Sequence, residues 1–262
     1  MKRATCISVC LSLLATACPS FADVHTWVGG NSNGGGWDTP SNWTNEQGVA
    51  ECPEAGDTAL FNKWDETVVA NEADFARLSS LRDVWINSWS WPMERGQELV
   101  LDFTADHVLA CRIHGMGKLI IKGSNRLEFA PSESGGTKLT NFYAPYHVNI
   151  GGIEVKDSAT LILAQTGFDN VNGFTYGPMT IAADATVIVA SNLNYTVLET
   201  LHGTGTVRRD IGTSNDKWIQ IGWAGNFSTK RAEFGGKITG VANVINYSNQ
   251  ALTGTEIGRA HV

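Results

Sequence analysis

A repeated pattern near the middle of the chain constrains its fold more than any other feature. Six residues between Ile153 and Leu163 recur 26 positions later, between Met179 and Val189, as the same series of aliphatic, alanine and threonine positions. Both copies are rich in β-branched residues and are separated by a polar, glycine-containing segment. Repeats of this kind are typical of coils that stack on one another in a solenoid. The pattern therefore predicts two equivalent strand–turn–strand units.

Short strand candidates precede this repeat. Each contains β-branched or aromatic residues and is bounded by Gly, Asn, Asp or Pro. They are Thr67 to Ala70, Leu81 to Ile86, Glu98 to Phe103, Lys118 to Lys122 and Arg126 to Phe129. Only Glu72 to Leu81 is expected to form a helix, and a short one. Together the patterns predict an all-β fold, a right-handed parallel β-helix that is incomplete at its carboxy-terminal end.

A second echo relates two glycine-containing phrases that lie 88 positions apart. Residues 113–119 and residues 201–207 both place Gly-x-Gly between aliphatic residues. Glycine is common where one strand ends and the next begins, because it reaches backbone angles that other residues avoid. The phrase lacks the third glycine and the Lys-Ser/Thr pair of a nucleotide loop. It therefore indicates a turn between strands.

The charge balance limits the partners of this chain. The formal net charge is −7, and removal of Lys2 and Arg3 with a signal peptide takes it to −9. An acidic protein is poorly suited to bind nucleic acid or an anionic membrane. Only 17% of the residues are charged, while the chain has 28 glycines and 9 tryptophans. This balance favours an extracellular β protein.

The first 22 residues have the features of a signal peptide. Lys2 and Arg3 precede a short apolar run, and Ser20 and Ala22 are small residues at the positions that a signal peptidase reads. The mature protein is expected to begin near Asp23 and to be secreted or held at the outer cell surface. An alternative is a lipoprotein, since residues 15–18 resemble a lipoprotein cleavage box ending in Cys18. The apolar run is too short to span a bilayer, and nothing later approaches 18 continuous apolar residues.

Two cysteines remain after cleavage of the signal peptide, Cys52 and Cys111. In an oxidising compartment they can form a disulfide, which would contribute about 4 kcal/mol in the chain-entropy model. Two buried free thiols are the other interpretation. The sequence leaves both open.

Residues 23–62 are predicted to form a capping module rich in Trp and Gly. Trp27, Trp37 and Trp43 are set among Gly, Asn, Ser and Pro, which is too polar for a helix and too aromatic for a linker. The order W-x-G-G, a glycine-rich gap, G-x-W, N-W and P-x-x-G-D-x-A-x-F resembles the opening of bacterial autotransporter-like passenger proteins. Cys52 departs from that pattern.

The glycine phrases extend this resemblance to most of residues 25–255. Residues 115–119, 203–207 and 234–240 are similar to the autotransporter-associated β-strand repeat. The resemblance implies β-helix rungs over residues 63–256, of the pectin lyase-like superfold, and a non-catalytic adhesion or display protein. Its implied partners are an extracellular polysaccharide or the surface of a host or neighbouring cell.

A tryptophan-rich stretch after residue 84 supports a carbohydrate-binding alternative. In a strand, Trp85, Asn87, Trp89 and Trp91 fall on one face. Three aligned rings could stack on a glycan while Asn87 bonds a hydroxyl group. The other interpretation is that these rings pack beneath the cap.

A polysaccharide-degrading enzyme of the pectin lyase-like type is a second alternative. It would use charged residues on an exposed sheet, and the candidates are Lys156, Asp157, Asp184, Arg208, Arg209 and Asp210. Asp157 and Asp184 directly precede strands, where Asp commonly serves a turn. The Arg208 to Asp210 segment is interpreted as a solvated strand end. No catalytic residue or cofactor is therefore expected.

His107, Cys111 and His114 invite a metal interpretation. Residues 107 and 111 share one face of a strand and 114 points to the other, so the set does not converge. No metal site is expected. Residues 257–262 resemble a translated sequencing adapter and are excluded from the fold prediction. We expect further rungs beyond them in the complete gene, and aggregation of a chain that lacks a carboxy-terminal cap.

Overall fold

Strands dominate the computed structural model. It describes residues 22–29, 36–63, 66–86, 97–115, 117–130, 147–148, 152–164, 175–176, 178–190, 195–198, 200–210, 218–221, 233–240, 243–246 and 251–252. In chain order the first strands are β1 (Val24–Trp27), β2 (Trp43–Thr44), β3 (Thr58–Phe61), β4 (Thr67–Ala70), β5 (Asp83–Ile86), β6 (Glu98–Phe103), β7 (His107–Leu109), β8 (Arg112–Gly115), β9 (Lys118–Gly123), β10 (Arg126–Phe129), β11 (His147–Val148) and β12 (Ile153–Val155). They are followed by β13 (Thr160–Leu163), β14 (Thr175–Tyr176), β15 (Met179–Ile181), β16 (Thr186–Val189), β17 (Tyr195–Leu198), β18 (Leu201–Gly203), β19 (Thr206–Arg209), β20 (Trp218–Ile221), β21 (Glu233–Phe234), β22 (Lys237–Thr239), β23 (Asn243–Asn246) and β24 (Ala251–Leu252). The all-β prediction is confirmed.

Helical structure in the described residues is confined to short segments near the amino terminus. They are the 3₁₀ turns Pro40–Asn42 and Glu72–Asp74 and the helix α1 (Phe75–Ser80). The Asn71 side chain accepts the Ala73 N–H at 3.0 Å, while the Asp74 carboxylate accepts the Asn71 N–H at 2.9 Å. This reciprocal cap starts the helical segment, as in a capping box. The helix predicted over Glu72 to Leu81 is confirmed.

The strands form four sheets, which we name A to D. Sheet A has the order β2-β1-β3-β5-β8, sheet B the order β24-β21-β18-β15-β12-β9-β6-β4, sheet C the order β22-β19-β16-β13-β10-β7, and sheet D the order β11-β14-β17-β20-β23. All described pairings are parallel except that of β2 with β1. Sheet A also joins strands from both sides of residue 62, because β3 pairs with β5 in register.

The chain visits these sheets in a fixed order. From β5 to β22 it passes repeatedly through sheet A or D, then sheet B, then sheet C. Sheet D continues the position of sheet A, because β11 lies next to β8. In the first passage α1 follows β4 and lies against β7, so a helical turn stands where later passages have a strand of sheet C.

The 26-residue repeat corresponds to neighbouring strands in register. Ile153 pairs with Met179 in sheet B, and Leu161 pairs with Val187 in sheet C. The prediction of two equivalent strand–turn–strand units is therefore confirmed. The 88-residue echo has a different basis, because β8 lies in sheet A while its counterpart β18 lies in sheet B. The two Gly-x-Gly phrases follow β8 and β18, as the turn interpretation predicts, and do not occupy equivalent positions.

Alternate residues of each strand form the core between the sheets. Leu99, Leu119, Ile153, Met179 and Leu201 occupy one register column of sheet B, and each is at most 1% exposed. In sheet C, Leu161 lies between Leu127 and Val187 and is fully buried. Burial of such stacked aliphatic side chains stabilises the sheets. On the other face of sheet C, Ile162, Ala164 and Ile188 form a second, smaller buried cluster.

Gly203 allows two neighbouring strands to approach closely. Its φ is +91°, and an added Cβ would contact the carbonyl oxygen of Ile181 on β15. Only glycine adopts this angle without strain, and only a residue without Cβ fits here. The Gly-x-Gly phrase is thus needed for packing between successive passages of the chain.

Candidate functional site

The three tryptophans of the amino-terminal segment belong to the main hydrophobic core. Trp27, Trp37 and Trp43 are each at most 1% exposed. The Trp27 and Trp43 rings meet edge to face at 4.9 Å, and the Phe61 ring lies 5.3 to 6.0 Å from all three. The Trp43 indole N–H donates to the Trp37 carbonyl at 2.9 Å. Because the rings pack against each other, their faces are not offered to a ligand.

Trp85 is the one residue of the predicted glycan platform that the structure describes. It is half-buried on β5, and its neighbours Val84 and Ile86 are fully buried, so Trp85 lies on the outer face of sheet A. Leu60 of β3 is in register beside it. Asn87, Trp89 and Trp91 lie outside the described residues.

A buried ion cluster lies on the same face, two residues before Trp85. Asp83 is 2% exposed, with Oδ2 at 2.9 Å from Arg82 Nε and Oδ1 at 2.5 Å from Arg112 Nη2. Arg82 also donates to Thr58 Oγ1 at 3.0 Å. A buried carboxylate thus fixes two guanidinium groups at the strand position two residues before Trp85.

The residues considered for polysaccharide cleavage do not meet at one site. Asp157 and Asp184 both lie in turns, and Asp157 adopts a φ of +54°. The turn interpretation of both is confirmed. Lys156 Nζ is 2.9 Å from Glu154 Oε1, and Arg208 Nε is 3.3 Å from Asp210 Oδ1. These cations are held by neighbouring carboxylates.

Arg209 departs from the sequence interpretation. We expected a solvated strand end over residues 208–210, but Arg209 is 3% exposed and in register with the buried Val189. The strand continues its period of two, which places Arg209 on the same inner face as Val207. Burial lowers the pKa of this guanidinium to about 10.

His107 takes part in a pair with a carboxylate. Its Nε2 is 2.7 Å from Glu72 Oε1, and its ring stacks on Phe75 at 4.0 Å. Glu72 also accepts the Thr104 N–H at 2.7 Å, which is the largest cause of the lowered pKa of Glu72; the hydrogen bond and charge of His107 act in the same direction. His107 lies in sheet C, whereas Cys111 directly precedes β8 of sheet A. The side chain of His114, the third residue of that set, lies outside the described residues.

Both cysteines of the mature chain are free thiols in the structure. Cys111 is fully buried, and this burial, followed by the nearby Asp83 carboxylate, raises the pKa of its thiol to about 12. Cys52 is half-buried against the core, and burial raises the pKa of its thiol as well. Neither thiol has the lowered pKa that marks a reactive cysteine.

A group of ligand-type side chains that sequence reasoning missed lies at the start of β1. Asp23, His25 and Glu51 each offer one potential metal-ligand atom, and these three atoms lie within 4.8 Å of one another. His25 is 2% exposed, with Nε2 at 3.1 Å from Asp57 Oδ2 and Nδ1 at 3.2 Å from the Glu51 carbonyl oxygen. Asp57 Oδ1 accepts the Asp23 N–H at 3.0 Å. The spacing of Asp23 and His25, two apart at the edge of a strand, was the available signal.

Comparisons with protein-family models, with curated proteins and with solved structures find no match to this chain. The class of the protein is therefore argued from its own residues. Within the part of the chain that the structure describes, no helix has the length and apolar character needed to cross a membrane.

Proposed function

We propose that this protein is a non-catalytic, secreted or surface-displayed right-handed parallel β-helix of the autotransporter passenger type, which serves adhesion or display. The observation that carries the proposal is the fixed order in which the chain visits sheets A or D, B and C. Parallel crossover connections are almost always right-handed. A stack of such coils is an elongated scaffold that presents its outer faces to a partner.

The outer face of sheet B supports a role without catalysis. Its cations contact carboxylates on neighbouring strands: Lys118 pairs with Glu154, and Lys122 Nζ is 2.9 Å from Asp102 Oδ2. Glu154 is shared between Lys118 and Lys156. Ion pairs of this kind hold strands in register, and each of these carboxylates is paired with a lysine rather than with a second carboxylate as in a general acid and base pair. In Glu154 the two lysines outweigh the effect of burial and hold the pKa below its ordinary value.

The location of the protein can be tested in the organism that encodes it. Intact cells are treated with proteinase K, and the chain is followed by an antibody beside a periplasmic marker. We expect the chain in the medium, or on cells in a form that the protease removes while the marker survives. A chain protected on intact cells would contradict display. Labelling with a radioactive fatty acid separates a lipoprotein anchored through Cys18 from the other forms.

The absence of catalysis is tested separately on the purified chain. It is incubated with a panel of acidic and neutral polysaccharides, and new reducing ends and unsaturated products are measured. We expect neither above a boiled control. Turnover of any polysaccharide would replace this proposal with the enzyme of the pectin lyase-like type.

Carbohydrate binding at the outer face of sheet A is the second candidate function. The observation that favours it is the half-buried Trp85 on the same strand as Asp83, which fixes two guanidinium groups. An aromatic ring beside oriented hydrogen-bond donors is a common arrangement for sugar recognition. On a glycan array, wild type is expected to bind and Trp85→Ala and Trp89→Ala to lose binding, while Val108→Ala, an exposed change in sheet C, keeps it. An array without any wild-type signal would refute this candidate.

A further inference from the structure

We propose that Asp23, His25 and Glu51, which we call the His25 cluster, bind one divalent transition metal ion of the zinc class. Their donor atoms all lie within 4.8 Å of one another, and they join the first strand to the irregular segment before β3. The proposal is independent of the proposed function.

The hydrogen bonds of His25 indicate which ring nitrogen would hold the metal. Nε2 is 3.1 Å from Asp57 Oδ2, so a ring that binds a metal through Nδ1 can donate its Nε2–H to the Asp57 carboxylate. Metal-binding histidines commonly donate their second nitrogen to a carboxylate, which orients the ring and raises the basicity of the other nitrogen. Asp57 is in turn held by the backbone N–H groups of Asp23 and Glu54, at 3.0 and 2.8 Å. Nδ1 is therefore the nitrogen that is left for a metal.

The Nδ1 side of the ring faces Glu51. Nδ1 lies 3.2 Å from the Glu51 carbonyl oxygen, and His25 has 2% of its surface exposed. Zinc binding at Nδ1 would replace the hydrogen bond between Nδ1 and this oxygen.

The donor set selects the class of metal. One imidazole nitrogen with two carboxylates suits zinc and its neighbours, whereas calcium and magnesium prefer oxygen ligands alone. Ligands of a tetrahedral zinc ion lie about 3.3 Å apart, so the donors must approach by up to about 1.5 Å. Asp23 is exposed at the edge of the described chain, while Glu51 is half-buried and receives a hydrogen bond from Asn45. Asp23 is the ligand that can move.

Metal binding at this place would fasten the start of the mature chain. Signal cleavage is expected directly before Asp23, whose nitrogen already contacts Asp57. A metal shared by Asp23, His25 and Glu51 would join that terminus to the segment that leads into β3. Because such a metal binds the folded state only, it would also stabilise the cap.

The test uses the full chain, stripped with EDTA and desalted, with Zn²⁺ alone as the probe. Bound zinc is counted by equilibrium dialysis, affinity is measured by competition with a chromophoric chelator, and the melting temperature is recorded with and without Zn²⁺. We expect one zinc per chain and a higher melting temperature. Asp23→Asn and Glu51→Gln, which leave the core in place, should each weaken binding at least tenfold, about 1.4 kcal/mol. Asp57→Asn should weaken it about 10- to 100-fold through the orientation of His25.

Glu46→Gln is the matched control, because it removes an exposed carboxylate of the same segment outside the cluster. It should bind zinc as wild type does. Failure of wild type to retain zinc would overturn the proposal. Equal affinity in Asp23→Asn, Glu51→Gln and Glu46→Gln would overturn it by placing the zinc elsewhere. Binding of Ca²⁺ as tight as that of Zn²⁺ would overturn the assignment of the metal class.

Discussion

Replacement of Gly203 by alanine should destabilise the protein in two ways. It adds a Cβ where two neighbouring strands pack closely, and it places an L residue at a left-handed backbone angle. Gly203 has a φ of +91°, and an alanine Cβ would contact the Ile181 carbonyl oxygen and lie 3.0 Å from its carbonyl carbon and 3.2 Å from its nitrogen. The backbone angle alone costs an L residue about 1–2 kcal/mol. Displacement of a packed strand adds about 1–3 kcal/mol. We therefore expect Gly203→Ala to lower the free energy of unfolding by about 2–5 kcal/mol.

Gly48→Ala is the matched control for this experiment. Gly48 has a φ of +78°, and an added Cβ would meet no atom within 4 Å. Only the backbone cost remains, so we expect a loss of about 1–2 kcal/mol. The difference between the variants measures the contact of Gly203 with β15.

Thermal unfolding followed by far-ultraviolet circular dichroism gives the comparison. For a chain of this size 1 kcal/mol corresponds to about 2–4 °C, so Gly203→Ala should melt roughly 2–12 °C below Gly48→Ala. Urea unfolding with a common m value would show that both variants lose the same cooperative structure. Equal melting temperatures for the two variants would refute the argument that β18 needs glycine at position 203 to pack against β15.

Three further predictions concern the interior and the Glu72–His107 pair. Because the pKa of Glu72 is lowered, its contribution to stability is present above the unfolded-state pKa and is lost as the pH falls through the folded-state pKa. Between about pH 5 and 2 the melting temperature of wild type should therefore fall more steeply than that of Glu72→Gln, and parallel curves would contradict this. Cys111, whose thiol pKa is raised to about 12, should not react with iodoacetamide in the native protein at pH 8. After unfolding without reductant, peptide mapping should find both Cys52 and Cys111 labelled, whereas an unlabelled pair would indicate a disulfide. In urea unfolding, Leu161→Ala should lower the free energy of unfolding by about 2–5 kcal/mol because Leu161 is fully buried. The exposed Val108→Ala should change it by less than about 0.5 kcal/mol, and similar losses in the two variants would argue against this core.

Local patterns predicted the elements of this fold well. The β-branched and aromatic residues of β6 and β10, with the turn residues that bound them, gave strand bounds that agree with the structure. These signals are local, because strand propensity and turn-forming residues depend on a few neighbouring residues. The 26-residue repeat also predicted register, because equivalent residues stack directly on one another.

The errors arose where local chemistry does not determine position. The Gly-x-Gly echo correctly indicated turns after β8 and β18, but it could not show that these strands lie in different sheets. Arg209 was assigned to solvent by its charge, whereas the strand period places it inside. The His25 cluster depends on parallel pairing of β1 with β3, which brings Glu51 to His25 from 26 residues away.

The register columns of sheet B have a consequence for how proteins of this design change length. Leu119, Ile153, Met179 and Leu201 stack directly, yet they are separated by 34, 26 and 22 residues along the chain. The number of residues per passage is therefore free to vary as long as each strand returns to its column, and a longer connection adds little entropic cost. Insertions at the connections can diversify the surface, or carry an engineered peptide, while the ladder beneath them stays unchanged.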